Sequence, residues 1–233
     1  MNSLVQQPDV ARVFRFDCIT FDWDGTLFDS TAIIVRCIQG AVREVGGTEP
    51  SDKDAAYVIG LGLMQALAHA APDVPKEKYP ALGEAYRQQW AQHVDDISFF
   101  PGTMDMLRAL KEQGYKLAVA TGKSRRGLDD VLQRELEGIK LVNVFDASRT
   151  ADQTAGKPDP LMLHELMQEL DVQPERMLMI GDTTHDLLLA RNAGVASVGV
   201  SFGAHAHEEF AAYGPLFVAH SMQELHNWLL KNA

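Results

Sequence analysis

Apolar residues follow two different periods along this chain. Over 29–100 they recur every three or four positions, the spacing of one helical face, as at Ile33, Ile34, Cys37, Ile38, Ala41, Val42 and Val45. Asp29 or Ser30 stands where that helix would be capped, and Gly46-Gly47 where it would stop. Ser51 opens a second helix, with Asp54 three residues on in a capping-box-like position. After the turn Gly60-Leu61-Gly62, residues 63–71 read as a third helix. Tyr79, Leu82, Tyr86 and Trp90 mark one face of a longer helix running toward Ile97.

Outside that block the spacing changes to short apolar runs separated by amphipathic stretches. Strands are predicted at 18–21, 116–121, 142–145, 177–181, 196–200 and 217–219. Helices are predicted between them at 103–113, 124–136, 160–170, 184–193 and 222–230. Repeated strand–helix alternation implies an α/β fold, a mainly parallel sheet with helices on both faces. The expected organisation is a core of residues 1–28 and 101–233, with 29–100 inserted as an α-helical cap domain.

Composition narrows the function. The 233 residues are 46% hydrophobic and 23% charged, ordinary for a globular protein. A net charge of -11 argues against nucleic acid or an anionic membrane surface as partner. No apolar run approaches membrane-spanning length, and residues 1–15 lack the apolar core of a signal peptide, so a cytoplasmic protein is expected, as monomer or homodimer. Cys18 and Cys37 offer neither a disulfide framework nor zinc spacing.

Candidate chemistry sits where predicted strands end. Asp22 and Asp24 follow the first strand and precede the turn residue Gly25. At 4 Å and an effective dielectric near 20 the two charges would repel by about 4 kcal/mol, so the pair asks for a cation or a shared proton. A carboxylate can attack phosphorus, which makes Asp22 the candidate nucleophile, and a second acid, Asp24, is placed to move protons. Ala120-Thr121-Gly122-Lys123-Ser124 joins a strand to a helix start, where a hydroxyl and free amides suit an anion. Lys157 precedes Pro158 and is therefore held on extended backbone. Asp182 ends another strand and Asp186 lies one helical turn on, hard oxygen donors suited to Mg²⁺. His185 reads as a helix-surface residue, and His205, His207, Glu208 and Glu209 as a polar loop.

Together the strings D-x-D-G-T-L-x-D-S, T-G-K-S, G-K-P-x-P and G-D-T-x-x-D-x-x-x-A-x-x-A-G resemble, in order, the four motifs of the haloacid dehalogenase superfamily. The helical block after the first motif is similar to the subfamily that includes phosphoglycolate phosphatases. The resemblance implies a Rossmann-like core and a Mg²⁺-dependent phosphatase of small phosphorylated metabolites, acting through an aspartyl phosphate. It implies Asp22, Asp24, Thr121 and Lys157 as catalytic residues. Phosphate contacts are expected from Trp23, Gly25, Thr121, Gly122 and Lys157. Metal ligation is expected from Asp22, Asp24 (through its backbone carbonyl), Asp182 and Asp186, the last also supporting Lys157. Many phosphatases of this type carry Asn where Gly122 stands. A phosphomutase shares all four motifs and stays open, as does a non-catalytic binding module on the same fold. Asp24 disfavours a dehalogenase, and the D-x-D string disfavours a phosphonatase.

Overall fold

Burial on both sides makes the central strands near-continuous apolar runs. In the computed structural model, which describes residues 15–136 and 138–233, the strands of the main sheet are β1 (Cys18–Phe21), β2 (Lys116–Thr121), β5 (Ala147–Thr150), β6 (Met177–Gly181), β7 (Ala196–Val200) and β8 (Val218–Ala219). The signal-peptide reading of the N-terminus concerns residues that lie almost entirely outside the described ones. The six strands form one parallel sheet in the order β5-β2-β1-β6-β7-β8. From β1 the chain steps outward through β2 to β5, and from β6 in the opposite direction through β7 to β8. The order thus reverses between β1 and β6, the place where ligands bind in open α/β sheets.

Alternate strand residues serve opposite faces. Ile19, Phe21, Leu117, Val119, Leu178 and Ile180 join one apolar cluster, with α5 (Thr103–Glu112), α6 (Arg125–Leu132) and α9 (Met222–Asn232). Cys18, Ala118, Ala120, Met177 and Met179 join another, with α7 (Leu161–Leu170) and α8 (Thr184–Ala193). Between β1 and α5 the chain forms α1 (Thr31–Glu44), α2 (Asp52–Tyr57), α3 (Leu63–Ala70) and α4 (Tyr79–Ala91). These four share a separate cluster that includes Ile34, Ile38, Val42, Leu67 and Leu82. None of the helices among the described residues is long and apolar enough to cross a membrane.

Several local expectations need correction. Residues Leu141–Asn143 form a 3-10 turn, and the strand is Ala147–Thr150. Leu141 and Val144, three apart, both turn into the core, which is helical rather than strand spacing. Asp146 then fixes the strand entry, its carboxylate accepting the Leu117 N–H at 2.7 Å and the Lys111 ammonium at 2.8 Å. Helix α6 stops at Leu132 because the chain turns into a hairpin of β3 (Glu135–Leu136) and β4 (Ile139–Lys140). Helix α4 ends at Ala91, short of Ile97.

Candidate active site

The register of the sheet aligns the strand ends that carry the chemistry. Phe21 is paired with both Val119 and Ile180, so Asp22, Thr121 and Asp182 emerge at one edge. Oxygens of Asp22, Asp182 and Asp186 lie within 4.8 Å of one another, and all three residues are buried. Lys157 Nζ stands 2.6 Å from Asp22 Oδ1 and 2.6 Å from Asp186 Oδ1, and its side chain is 0% exposed. Asp186 Oδ2 accepts the Thr183 N–H at 3.1 Å and the Thr183 hydroxyl at 2.6 Å, so the residue is fixed by its own helix start. The Thr26 hydroxyl donates to Asp182 Oδ1 at 2.9 Å, and the Ala204 N–H to Oδ2 at 2.7 Å.

Three carboxylates face one ammonium, which leaves two negative charges uncompensated when all are ionised. Burial pushes the Asp22 carboxyl well up despite Lys157, with Asp186 and Asp182 adding to the effect. Burial and Asp186 push Asp182 up to about 7. Burial opposes the charge on Lys157, but Asp186 and Asp22 outweigh it and hold the ammonium protonated. Asp22 Oδ2 is buried without a hydrogen-bond partner. An orphaned carboxylate oxygen, hard donors and a residual charge of two suit a small divalent cation.

Asp24 stands apart from this trio. Its Oδ1 accepts the Ser30 hydroxyl at 2.8 Å, and its Oδ2 lies 2.9 Å from Lys123 Nζ. Hence Ser30, which with Asp29 was one of two expected helix caps, takes the N-cap position but makes no side-chain capping bond and holds the acid instead. The Asp24 carboxylate is therefore not one of the clustered acids, which are Asp22, Asp182 and Asp186. The Trp23 ring is buried against Phe28, Phe99 and Phe145, which leaves only its backbone to face a ligand. The Gly25 N–H donates to the Phe28 carbonyl at 2.8 Å and is committed within the turn. Gly25 has φ +79°, and a Cβ there would fall 2.2 Å from Asp182 Oδ2, so the position admits no side chain. Thr121 is buried, and its hydroxyl accepts the Lys123 N–H at 3.2 Å, leaving its proton to donate. A Cβ on Gly122 would lie 2.5 Å from the carbonyl oxygens of Gly60 and Leu61. The loop between α2 and α3 thus occupies the space an asparagine would need.

Three side chains, Lys123, His185 and His205, make contacts that the sequence does not announce. Lys123 joins Asp24 to Trp90, whose ring lies 4.4 Å below the ammonium. His185 is buried rather than surface-facing, and its Nε2 donates to the Tyr57 carbonyl at 2.8 Å. His205 is buried too: the Thr184 N–H donates to its Nδ1, so Nε2 carries the proton and donates to the same carbonyl at 3.0 Å. Burial lowers both histidines, which keeps them neutral. A cleft of about 650 Å³ opens from Asp22 and Asp24, walled by α1, α3 and α4 on one side and by the start of α6 on the other.

Buried acids grouped around one ammonium at the switch point of a parallel sheet are the parts of an α/β enzyme. Residues 19–200 match the haloacid dehalogenase-like hydrolases, and the chain belongs to that family. It is 34% identical over 224 residues to a phosphoglycolate phosphatase of Vibrio vulnificus, covering 92% of this chain and 96% of that one. It is 28% identical to the pyrophosphatase PpaX of Bacillus mycoides, over 91% of this chain and 95% of that one. A haloacid dehalogenase-like family hydrolase of Streptococcus pneumoniae superposes with a TM-score of 0.78 at 25% identity, covering 92% and 98% of the two chains.

Proposed function

We propose that the chain is a Mg²⁺-dependent phosphatase of small phosphorylated metabolites, working through an aspartyl phosphate on Asp22. The observation that carries this reading is Asp22 itself, buried, with one oxygen held at 2.6 Å by Lys157 and the other unpartnered. The relatives named phosphatases support it. Asp22 attacks phosphorus, the bond to the leaving oxygen breaks, and Asp24 as carboxylic acid gives that oxygen its proton. Water then attacks the phosphorus, giving a proton back to Asp24, and the bond to Asp22 breaks to free phosphate. Lys157 and the Thr121 hydroxyl neutralise the phosphoryl oxygens. Asp22, Asp182 and the Asp24 carbonyl would hold the cation, with Asp186 behind Lys157, and the cation when bound supplies charge neutralisation to the phosphoryl group.

Residues 29–100 act in this reading as a cap domain over a core of 1–28 and 101–233. Support comes from the separate apolar cluster of α1–α4 and from the two crossings, which pair with each other: Asp29 N–H donates to the Ser98 carbonyl at 3.0 Å, and Phe28 bridges Phe99. The test is release of inorganic phosphate from a metabolite panel, with sugar phosphates checked for isomerised product. Isomerised sugar phosphate without net phosphate release would instead mean a mutase.

A further inference from the structure

Two imidazoles from the core converge on one backbone atom of the helical insert. Tyr57 is the last residue of α2, so its carbonyl belongs to the helix end that needs partners from outside. His185 Nε2 reaches that oxygen at 2.8 Å and His205 Nε2 at 3.0 Å. A carbonyl only accepts, so both nitrogens carry a proton and both bonds end on the same oxygen. The Tyr57 ring adds to the contact, stacking on His205 with the planes 5° apart and meeting His185 edge-on. The histidines are themselves fixed by the core. His205 Nδ1 accepts the Thr184 N–H at 3.1 Å, and the His205 N–H donates to the Asp182 carbonyl at 3.3 Å. His185 lies in the first turn of α8, beside Asp186. Just beyond Tyr57 the chain reaches Gly60 and Leu61, which line the cleft with Thr121 and Gly122. Gly60 has φ +90°, and a Cβ there would lie 3.3 Å from Thr183 Oγ1, at the start of α8. On its other side the loop turns the Gly60 and Leu61 carbonyls toward Gly122. It therefore fits between two of the core segments that carry the chemistry, and Tyr57 is its nearest anchor.

We propose that His185 and His205 are positioning residues: by holding the Tyr57 carbonyl they seat the Gly60–Leu61 backbone at the phosphate end of the cleft. The effect on turnover rests on the phosphatase reading; the seating itself does not. His185→Leu removes one donor at similar bulk, whereas His185→Gln keeps an N–H near the place of Nε2. Loss of one net hydrogen bond changes an equilibrium by about two- to tenfold. Hydrogen exchange of the amides of residues 58–62 should speed by that factor in His185→Leu and return toward wild type in His185→Gln. Amides of β6 and of the middle of α8 should keep their rates. Unchanged exchange at 58–62, or equal acceleration throughout α8 and β6, would overturn the seating. Tyr57→Ala, at a position 42% exposed, should speed the same amides through loss of the ring contacts, and no change there would overturn it as well. With para-nitrophenyl phosphate as probe, KM of His185→Leu should rise by up to about tenfold while kcat stays near wild type, because bound substrate reseats the loop. His185→Gln should recover the wild-type KM. A loss confined to kcat, or no loss, would overturn the positioning role. If the wild type releases phosphate from no ester while the exchange results hold, the seating stands and the phosphatase reading falls.

Discussion

Replacing Lys157 by methionine keeps most of the side-chain volume and deletes the single cation that Asp22 and Asp186 share at 2.6 Å each. Removing one partner of a buried ion pair typically costs about 3–5 kcal/mol, because the remaining charge has neither water nor partner. Here two carboxylates lose their counterion in a site where Lys157 is 0% exposed, so the upper end of that range applies. For a chain of this size each kcal/mol moves Tm by about 2–4 °C, so Lys157→Met should melt about 10 °C or more below the wild type in EDTA. Adding Mg²⁺ should return part of the loss, since a divalent cation compensates the same carboxylates. The double variant Asp22→Asn, Lys157→Met should melt higher than Lys157→Met alone, with a coupling of about 1–3 kcal/mol, because one of the stranded charges is gone. Calorimetry of the four proteins in EDTA decides the matter. Equal Tm for wild type and Lys157→Met, or strictly additive losses in the double variant, would refute the account of Lys157 as the counterion of this site. Phosphate release by Lys157→Met should also fall by about 10²–10³-fold, the usual loss for one transition-state donor.

Asp22→Asn should stay folded and release no phosphate; turnover by the purified variant near the wild-type rate would exclude the covalent route. Stripping divalent metal should abolish activity and Mg²⁺ should restore it, whereas full turnover in exhaustively chelated enzyme would remove Asp182 as a ligand. Gly122→Asn should lower Tm by several degrees and raise KM, because any Cβ there meets the Gly60 and Leu61 carbonyls at 2.5 Å. An unchanged Tm and KM would show that the loop yields freely. Burial pushes both Cys18 and Cys37 up to about 11, so iodoacetamide at pH 7.5 should alkylate neither until denaturant is added, and mass spectrometry of the native protein should show the unmodified chain.

The central strands were legible because burial on both faces writes them as unbroken apolar runs, as in Met177–Gly181. The edge strand Ala147–Thr150 was not, since three of its four residues are polar and Arg149 turns outward to Glu165 and Glu169. Asp22, Asp182 and Lys157 could be read because strand ends and an X-Pro step fix their direction locally. No local pattern announces Lys123, His185 or His205 as more than surface residues. Their partners Trp90 and Tyr57 come from the insert, far away in sequence, and only tertiary packing brings them together. The substitution of Gly for the expected Asn at position 122 had no reason visible in the sequence. Its reason is the approach of another segment's backbone.

The two acids of the first motif differ in what holds them, and that difference agrees with the roles proposed for them. Asp22 is enclosed by Lys157, Asp182 and Asp186, all from the core, so its environment is set whether or not the helical segment moves. Asp24 is held by Ser30, at the start of α1, and by Lys123, whose ammonium rests on the Trp90 ring of α4. Its partners therefore depend on where the helices sit. The latch from His185 and His205 to the Tyr57 carbonyl, and the contact of Gly60 and Leu61 with Gly122, bring the same helices down onto the core. A nucleophile needs a constant charge environment, while an acid that must protonate a leaving group should be in position only once the leaving group is enclosed. On the function proposed above, one fold meets both demands: the core fixes the proposed nucleophile Asp22, and closure of the helical segment as a cap, part of the same proposal, would complete the surroundings of Asp24.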